Sequence, residues 1–136
     1  MRVSKNFELR EFTRSATALR LGIVNEPGAE QIENIMALVT DVLQPVREMY
    51  NAPLRINSGY RCPELNKAVG GVPTSQHTKG EAADVRVADP RRMFNMIKRS
   101  KLPFDQIILY PTFVHISHKR DGENRRNVLF AKGVQP

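Results

Sequence analysis

Two short runs of this sequence alternate strictly. In the run 82–87, Ala83, Val85 and Val87 share one face, while Ala82, Asp84 and Arg86 share the other. In the run 113–117, Val114 and Ile116 share one face, while Phe113, His115 and Ser117 share the other. A period of two marks a strand with one buried face. Both runs therefore demand a sheet whose aliphatic side meets a core. Each also leaves one side chain of metal-ligand type, Asp84 or His115, on the opposite face. Adjacent strands of this kind can present the pair to one groove.

The rest of the chain supplies what such a sheet needs. From Glu30 to Tyr50, apolar residues recur at Ile32, Ile35, Val39, Val42, Leu43, Val46 and Met49. Steps of three and four make one helical stripe, which reads as core packing. Pro45 lies inside it and removes a backbone donor, so we expect a kink there or two consecutive helices. Phe7 to Phe12 reads as a short helix-like turn. Ser15 reads as the N-cap of a helix over Ala16 to Leu21, and Gly22 as its stop. Leu54 to Ser58 alternates as a strand. Pro63 suits the first position of a helix over Glu64 to Val69. Asp89-Pro90 starts a helix that runs to about Ser100. Strands are expected at Gln106 to Tyr110 and Asn127 to Ala131, with a hairpin around Pro111. Short strands alternating with helices argue for an α+β fold, a small mainly antiparallel sheet with flanking helices. At 136 residues one domain spanning 1–136 is expected.

His77 precedes Asp84 by seven residues, in a polar loop bounded by Gly80 that lets it swing towards the strands. Two imidazoles and a carboxylate suit zinc, and three protein ligands with one open position is the catalytic arrangement. The single Cys62 cannot form an internal disulfide and reads as a small packed side chain. His118 falls on the opposite face from His115.

Ser75-x-His77-x-x-Gly80-x-Ala82-x-Asp84, followed by Val114-His115, resembles the signature of the M15 peptidases. These are zinc D-alanyl-D-alanine carboxypeptidases and murein endopeptidases. The resemblance extends to a short subgroup met in phages and prophages, and it covers nearly the whole chain. Phe7 to Phe12, Ser15 to Ala18, Leu43 to Glu48, Ser58-Gly59-Tyr60-Arg61, Asn66, Gly70-Gly71 and Phe104-Asp105-Gln106 all fit it.

The resemblance implies a Hedgehog/DD-peptidase-like fold with His77, Asp84 and His115 as zinc ligands. It implies that zinc lowers the pKa of its water to about 7 and polarises the scissile carbonyl. Arg61 would hydrogen-bond the substrate carbonyl or its developing oxyanion. Ser75 and Gln76 would line the substrate cleft. The expected activity is hydrolysis of peptidoglycan stem peptides, as a carboxypeptidase or an endopeptidase. One feature departs from the family pattern. An acidic residue usually stands shortly before the last histidine as general base, and here Leu109-Tyr110-Pro111-Thr112 holds none. Tyr110 takes its approximate place. Asp105 reads as a cap or turn residue. Glu81 would face away from Asp84 if the strand began there, which counts against it. The chain is then a slow enzyme, a tyrosine-assisted one, or a zinc-containing wall-binding module that has lost catalysis.

The net charge of +7 favours anionic partners: nucleic acid, a membrane surface or an acidic wall polymer. The cations are scattered, with modest clusters at Arg91-Arg92, Lys98 to Lys101 and Lys119 to Arg126. Aromatic residues do not interleave with them and no recognition-helix pattern occurs, so nucleic acid is not expected. No apolar run approaches the roughly 20 residues of a membrane span, and the N-terminus has no signal-peptide core. A monomer made in the cytoplasm, acting on the wall once released, is expected.

Overall fold

The alternating runs become the middle of a sheet. The computed structural model describes residues 1–136. Strands β1 (Arg2–Ser4) and β2 (Phe7–Glu8) form a small antiparallel pair. Strands β3 (Arg55–Ser58), β4 (Ala82–Arg86), β5 (Gln106–Leu109), β6 (Phe113–Ser117) and β7 (Asn127–Phe130) form a five-stranded sheet in the order β3-β4-β6-β5-β7. All neighbours are antiparallel except β5 and β7, which run parallel. The helices are α1 (Ala16–Leu21), α2 (Ala29–Leu38), α3 (Gln44–Tyr50), α4 (Pro63–Ala68) and α5 (Pro90–Arg99). This is an α+β fold with a mainly antiparallel sheet. No helix is long and apolar enough to cross a membrane.

The core forms on the aliphatic face of the sheet. Ala83 and Val85 from β4, Val114 and Ile116 from β6, and Ile107 and Leu109 from β5 are buried there. Ile35, Leu38, Val39, Val42, Leu43 and Val46 pack against them from the long helical segment, with Met93, Phe94 and Ile97 from α5. The caps work as their residue types suggest. Ser15 Oγ accepts from Ala18 N at 3.1 Å, Asp89 Oδ1 accepts from Arg92 N at 3.1 Å, and Gly22 closes α1 in the left-handed region.

The long helical stripe is broken one turn before Pro45. Residues Val39–Leu43 form a π-helical turn in which Gln44 N donates to Val39 O, and Pro45 then sits in the first turn of α3. A proline nitrogen cannot donate, and its ring crowds the carbonyl four residues back. Widening the preceding turn accommodates both effects. Met49, placed in the stripe by spacing, is exposed, and Tyr50, four residues beyond Val46, is buried in its place. Its hydroxyl accepts from Asp89 N at 3.0 Å, tying α3 to the start of α5.

The N-terminal segment also differs from expectation. Phe7 and Glu8 extend as β2, and only Leu9–Phe12 turns as a 3-10 helix. Glu11 reaches back to accept from Glu8 N at 2.7 Å, which lets Phe7 and Phe12 both bury. His118 lies on the core side, as its place in the alternation suggests. Its Nε2 is 3.2 Å from Asp41 Oδ2 on the π turn. Burial pushes its pKa down, and the carboxylates of Asp41, Glu81 and Asp105 offset this only in part.

Ile116 is wholly enclosed in β6. Ile116→Ala is expected to lower unfolding free energy by about 2–5 kcal/mol, read as a lower urea midpoint at unchanged slope. Leu129→Ala, at an exposed position, should change it by less than about 0.5 kcal/mol.

Candidate metal centre

The register of the sheet makes the site. Asp84 of β4 lies directly opposite His115 of β6, both on the face away from the core. His115 Nδ1 is 2.9 Å from Asp84 Oδ1. The third group comes from the loop before β4. Residues Gln76–Lys79 form a 3-10 turn whose N-cap is Ser75, with Ser75 Oγ accepting from His77 N at 3.2 Å. Thr78 Oγ1 donates back to Ser75 O at 2.6 Å. Gly80 ends the turn at φ +74°, and a Cβ there would lie 2.5 Å from Gln31 O of α2. Only glycine allows both that conformation and that approach.

His77 is held on both sides. Its carbonyl accepts from Arg61 N at 3.0 Å, and its ring Nδ1 is 2.7 Å from Gly59 O. A carbonyl can only accept, so Nδ1 carries the proton and donates. In the neutral ring, Nε2 then turns its lone pair towards Asp84 Oδ1, 3.4 Å away. Two acceptors face each other with no proton between them, an arrangement that a cation relieves. The three ligand atoms lie within 4.8 Å of one another. Ligands about 2.0–2.2 Å from a tetrahedral zinc stand roughly 3.4 Å apart, and His77 Nε2 and Asp84 Oδ1 are 3.4 Å apart here. An imidazole whose other nitrogen donates to a backbone carbonyl is also what metal-ligating histidines show. The donor set fits a divalent metal ion.

Burial opposes ionisation of Asp84, but the hydrogen bond from His115 and the two histidines beside the carboxylate more than offset it. The carboxyl is held well below the usual carboxylate range.

Arg61 is aimed by a bulge. Ile56 pairs with Val85, but Ser58 pairs with Asp84, so β3 carries one extra residue at Asn57. Without it, Ser58 would stand opposite Ala83 and face the core. With it, Ser58 joins Asp84 on the open face. Ser58 Oγ accepts from Arg61 Nε at 3.2 Å, and Asn66 Oδ1 accepts from Nη1 at 3.1 Å. Burial pushes the Arg61 pKa down and Asp84 partly restores it.

A cleft of about 560 Å³ opens over this face. Arg61, Ser75, Gln76, His77, Asp84, Tyr110 and His115, the residues singled out in the sequence, all border it. Tyr110 stacks on Phe113 with ring centroids 4.4 Å apart at 8°. Cys62 is half-buried against the core and unpaired. Asp105 is fully buried. Burial raises its pKa, but the guanidinium and backbone N–H of Arg125 outweigh that and hold it ionised. It does not border the cleft.

Glu81 does border it. The strand begins at Ala82 rather than Glu81, so the alternation that turned Glu81 away does not reach it. Its Oε1 accepts from Gln76 Nε2 at 3.3 Å. Apart from Asp84 it is the carboxylate of the cleft lining. The signal available in sequence was Gly80, whose left-handed turn separates Glu81 from the strand geometry on one side.

A family model described as Peptidase M15 matches residues 5–117. The chain belongs to the M15 peptidase family. The match includes His77, Asp84, His115, Arg61 and Tyr110, and ends with β6. Lys119 and Arg125, which also border the cleft of this M15 peptidase, lie beyond it. No match is found among curated proteins.

Gly59 has two duties: its carbonyl orients His77, and a Cβ on it would stand 2.6 Å from Phe12 O. Gly59→Ala should therefore push the two segments apart. Affinity for divalent metal, measured by competition with a chelating dye, is expected to fall about 10–100-fold. His118→Gln, on the far side of the sheet, should leave it unchanged.

Proposed function

We propose that this chain is a zinc-dependent peptidase that hydrolyses peptidoglycan stem peptides. The observation that carries the proposal is the His77–Asp84–His115 cluster, set in a cleft of peptide size beside a pinned arginine. His77 through Nε2, His115 through Nδ1 and Asp84 through a carboxylate oxygen would hold the metal. When bound, zinc would polarise the scissile carbonyl and supply a nucleophile from water at neutral pH.

The remaining work falls to the chain itself. Arg61, fixed by Ser58 and Asn66, would donate to the carbonyl oxygen as negative charge grows on it. Its geometry is set before substrate arrives, so little reorganisation opposes that stabilisation. Ser75 spends its hydroxyl on the His77 turn, so its contribution to substrate would come through backbone and shape. Gln76 presents its side-chain amide beside Glu81. Glu81 would accept the proton of the attacking water and pass it to the leaving amine. Tyr110, ordered by stacking on Phe113, would donate a hydrogen bond to the substrate backbone. The +7 charge would hold the protein on an anionic wall.

A second reading has an observation of its own. Tyr110 stands in the approximate place, shortly before the last histidine, where the family usually carries its base, and a phenol is a poor substitute for a carboxylate. On that reading the chain is a zinc-containing wall-binding module whose catalysis is impaired. Turnover of purified muropeptides by the zinc-loaded protein, beside saturation binding, separates the two. Glu81→Gln is expected to lower kcat about 10²–10⁴-fold if it serves as the base. Arg61→Ala should cost about 10²–10³-fold, and Tyr110→Phe much less than either. A large loss in Tyr110→Phe with none in Glu81→Gln would move the proton transfer to the phenol. Binding with no turnover in the wild type would favour the second reading.

A further inference from the structure

The metal cluster is not at the end of its cleft. A second hollow of about 390 Å³ lies on the other side of Arg61 and Asp84, and both residues border both spaces. One wall of the second hollow is Arg14 and Thr17, at the start of α1. Another is the bulged end of β3, at Asn57 and Ser58. Val69, an exposed apolar residue after α4, closes a third side. Each hollow alone is large enough for a ligand of several heavy-atom groups.

The charges of the two spaces agree. Arg14 is exposed and takes part in no ion pair and no side-chain hydrogen bond. In the first space, Lys79 and Lys119 border the far wall, and Lys119 has only a long 3.9 Å contact with Asp105. The register sets the scale. Ile108 lies opposite His115 and Gln106 opposite Ser117, so Gln106 stands two residues along the strand from the cluster, about 7 Å. An extended peptide advances at most about 3.6 Å per residue, so roughly two substrate residues separate the cluster from that end. Arg61 borders both hollows, so it stands beside the passage and not at its end. Its Nε and one N–H of Nη1 are engaged by Ser58 and Asn66, and the other Nη1 N–H and Nη2 remain free to donate to a substrate carbonyl oxygen.

We propose that the hollow beside Arg14 is a second arm of the substrate groove, a subsite for a carboxylate-bearing peptide segment that continues past the scissile bond. The enzyme then cuts within a chain instead of trimming its end. This rests on the peptidase reading above and adds to it the reach and charge of the substrate. Hydrolysis consumes one water, breaks one amide C–N bond, and leaves a new carboxylate in one arm and a new amine in the other.

The test uses the full chain loaded with zinc and two probes. One is a disaccharide tetrapeptide from peptidoglycan; the other is the same compound with its C-terminal carboxyl amidated. Products are identified by mass spectrometry, and binding of the amidated probe is measured separately on metal-free protein. Cleavage of both probes at one internal bond, at similar rates, is expected. Arg14→Glu should raise KM and weaken metal-free binding about tenfold by placing like charge beside the carboxylate. Asn57→Trp should do the same by filling the hollow, and Arg20→Glu, on α1 but outside the hollow, should do neither. Release of the C-terminal residue alone, abolished by amidation, would overturn the proposal and leave the peptidase reading intact. Internal cleavage indifferent to both Arg14→Glu and Asn57→Trp would also overturn it. Binding that Arg14→Glu weakens, without cleavage of either probe, would retain the arm and remove the peptidase reading. Neither binding nor cleavage would remove both.

Discussion

The pairing of Asp84 with His115 across β4 and β6 is the constraint on which the rest of this structure depends. Strand side chains alternate, so a slip of one residue would turn the ligands into the core and Ala83 or Val114 out of it. The aliphatic sets on the two strands forbid that slip. Val85 opposite Val114 and Ala83 opposite Ile116 must meet the helices, and when they do, the carboxylate and the imidazole meet on the other side. Hydrophobic burial thus holds a polar cluster in register, although none of its energy comes from that cluster.

The remaining parts of the site are brought to this pair by irregularities, not by regular structure. A bulge at Asn57 turns Ser58 to the open face, where it fixes Arg61. A glycine at 59 lets one carbonyl meet the His77 ring while its Cα passes close to Phe12. A left-handed glycine at 80 ends the His77 turn against α2. Asn34 of α2 adds a side-chain bond to Lys79 O at 2.8 Å. Arg120, beyond β6, donates to the same asparagine at 2.9 Å. The helical layer, the His77 loop and the segment after β6 are therefore mechanically joined around the cluster.

Much of this was legible in the sequence, for a physical reason: period two and period 3.6 patterns report burial, and burial decides which face a residue takes. The faces of β4 and β6 and the caps at Ser15 and Asp89 followed from local chemistry. What local chemistry could not carry was pairing. The bulge at Asn57 exists only relative to β4, so Arg61 had no visible support. The parallel docking of β7 on β5 depends on a partner 21 residues away, Gln106 beside Asn127. Pro45 signalled a disturbance, but the widened turn lies before it, and that shift leaves Met49 outside and Tyr50 inside. Glu81 stands one residue before the strand, so alternation could not decide its face, and its place on the cleft appears only in three dimensions.

The central claim is that His77, Asp84 and His115 act together as one metal site. Metal content of protein purified without a chelating tag, wild type beside His115→Ala, tests it most directly. About one zinc per chain in the wild type is predicted, in line with a three-ligand site, with the metal lost in the mutant while its circular dichroism spectrum is preserved. A wild-type protein that takes up no zinc after supplementation, or a folded mutant that retains it in full, would contradict the account.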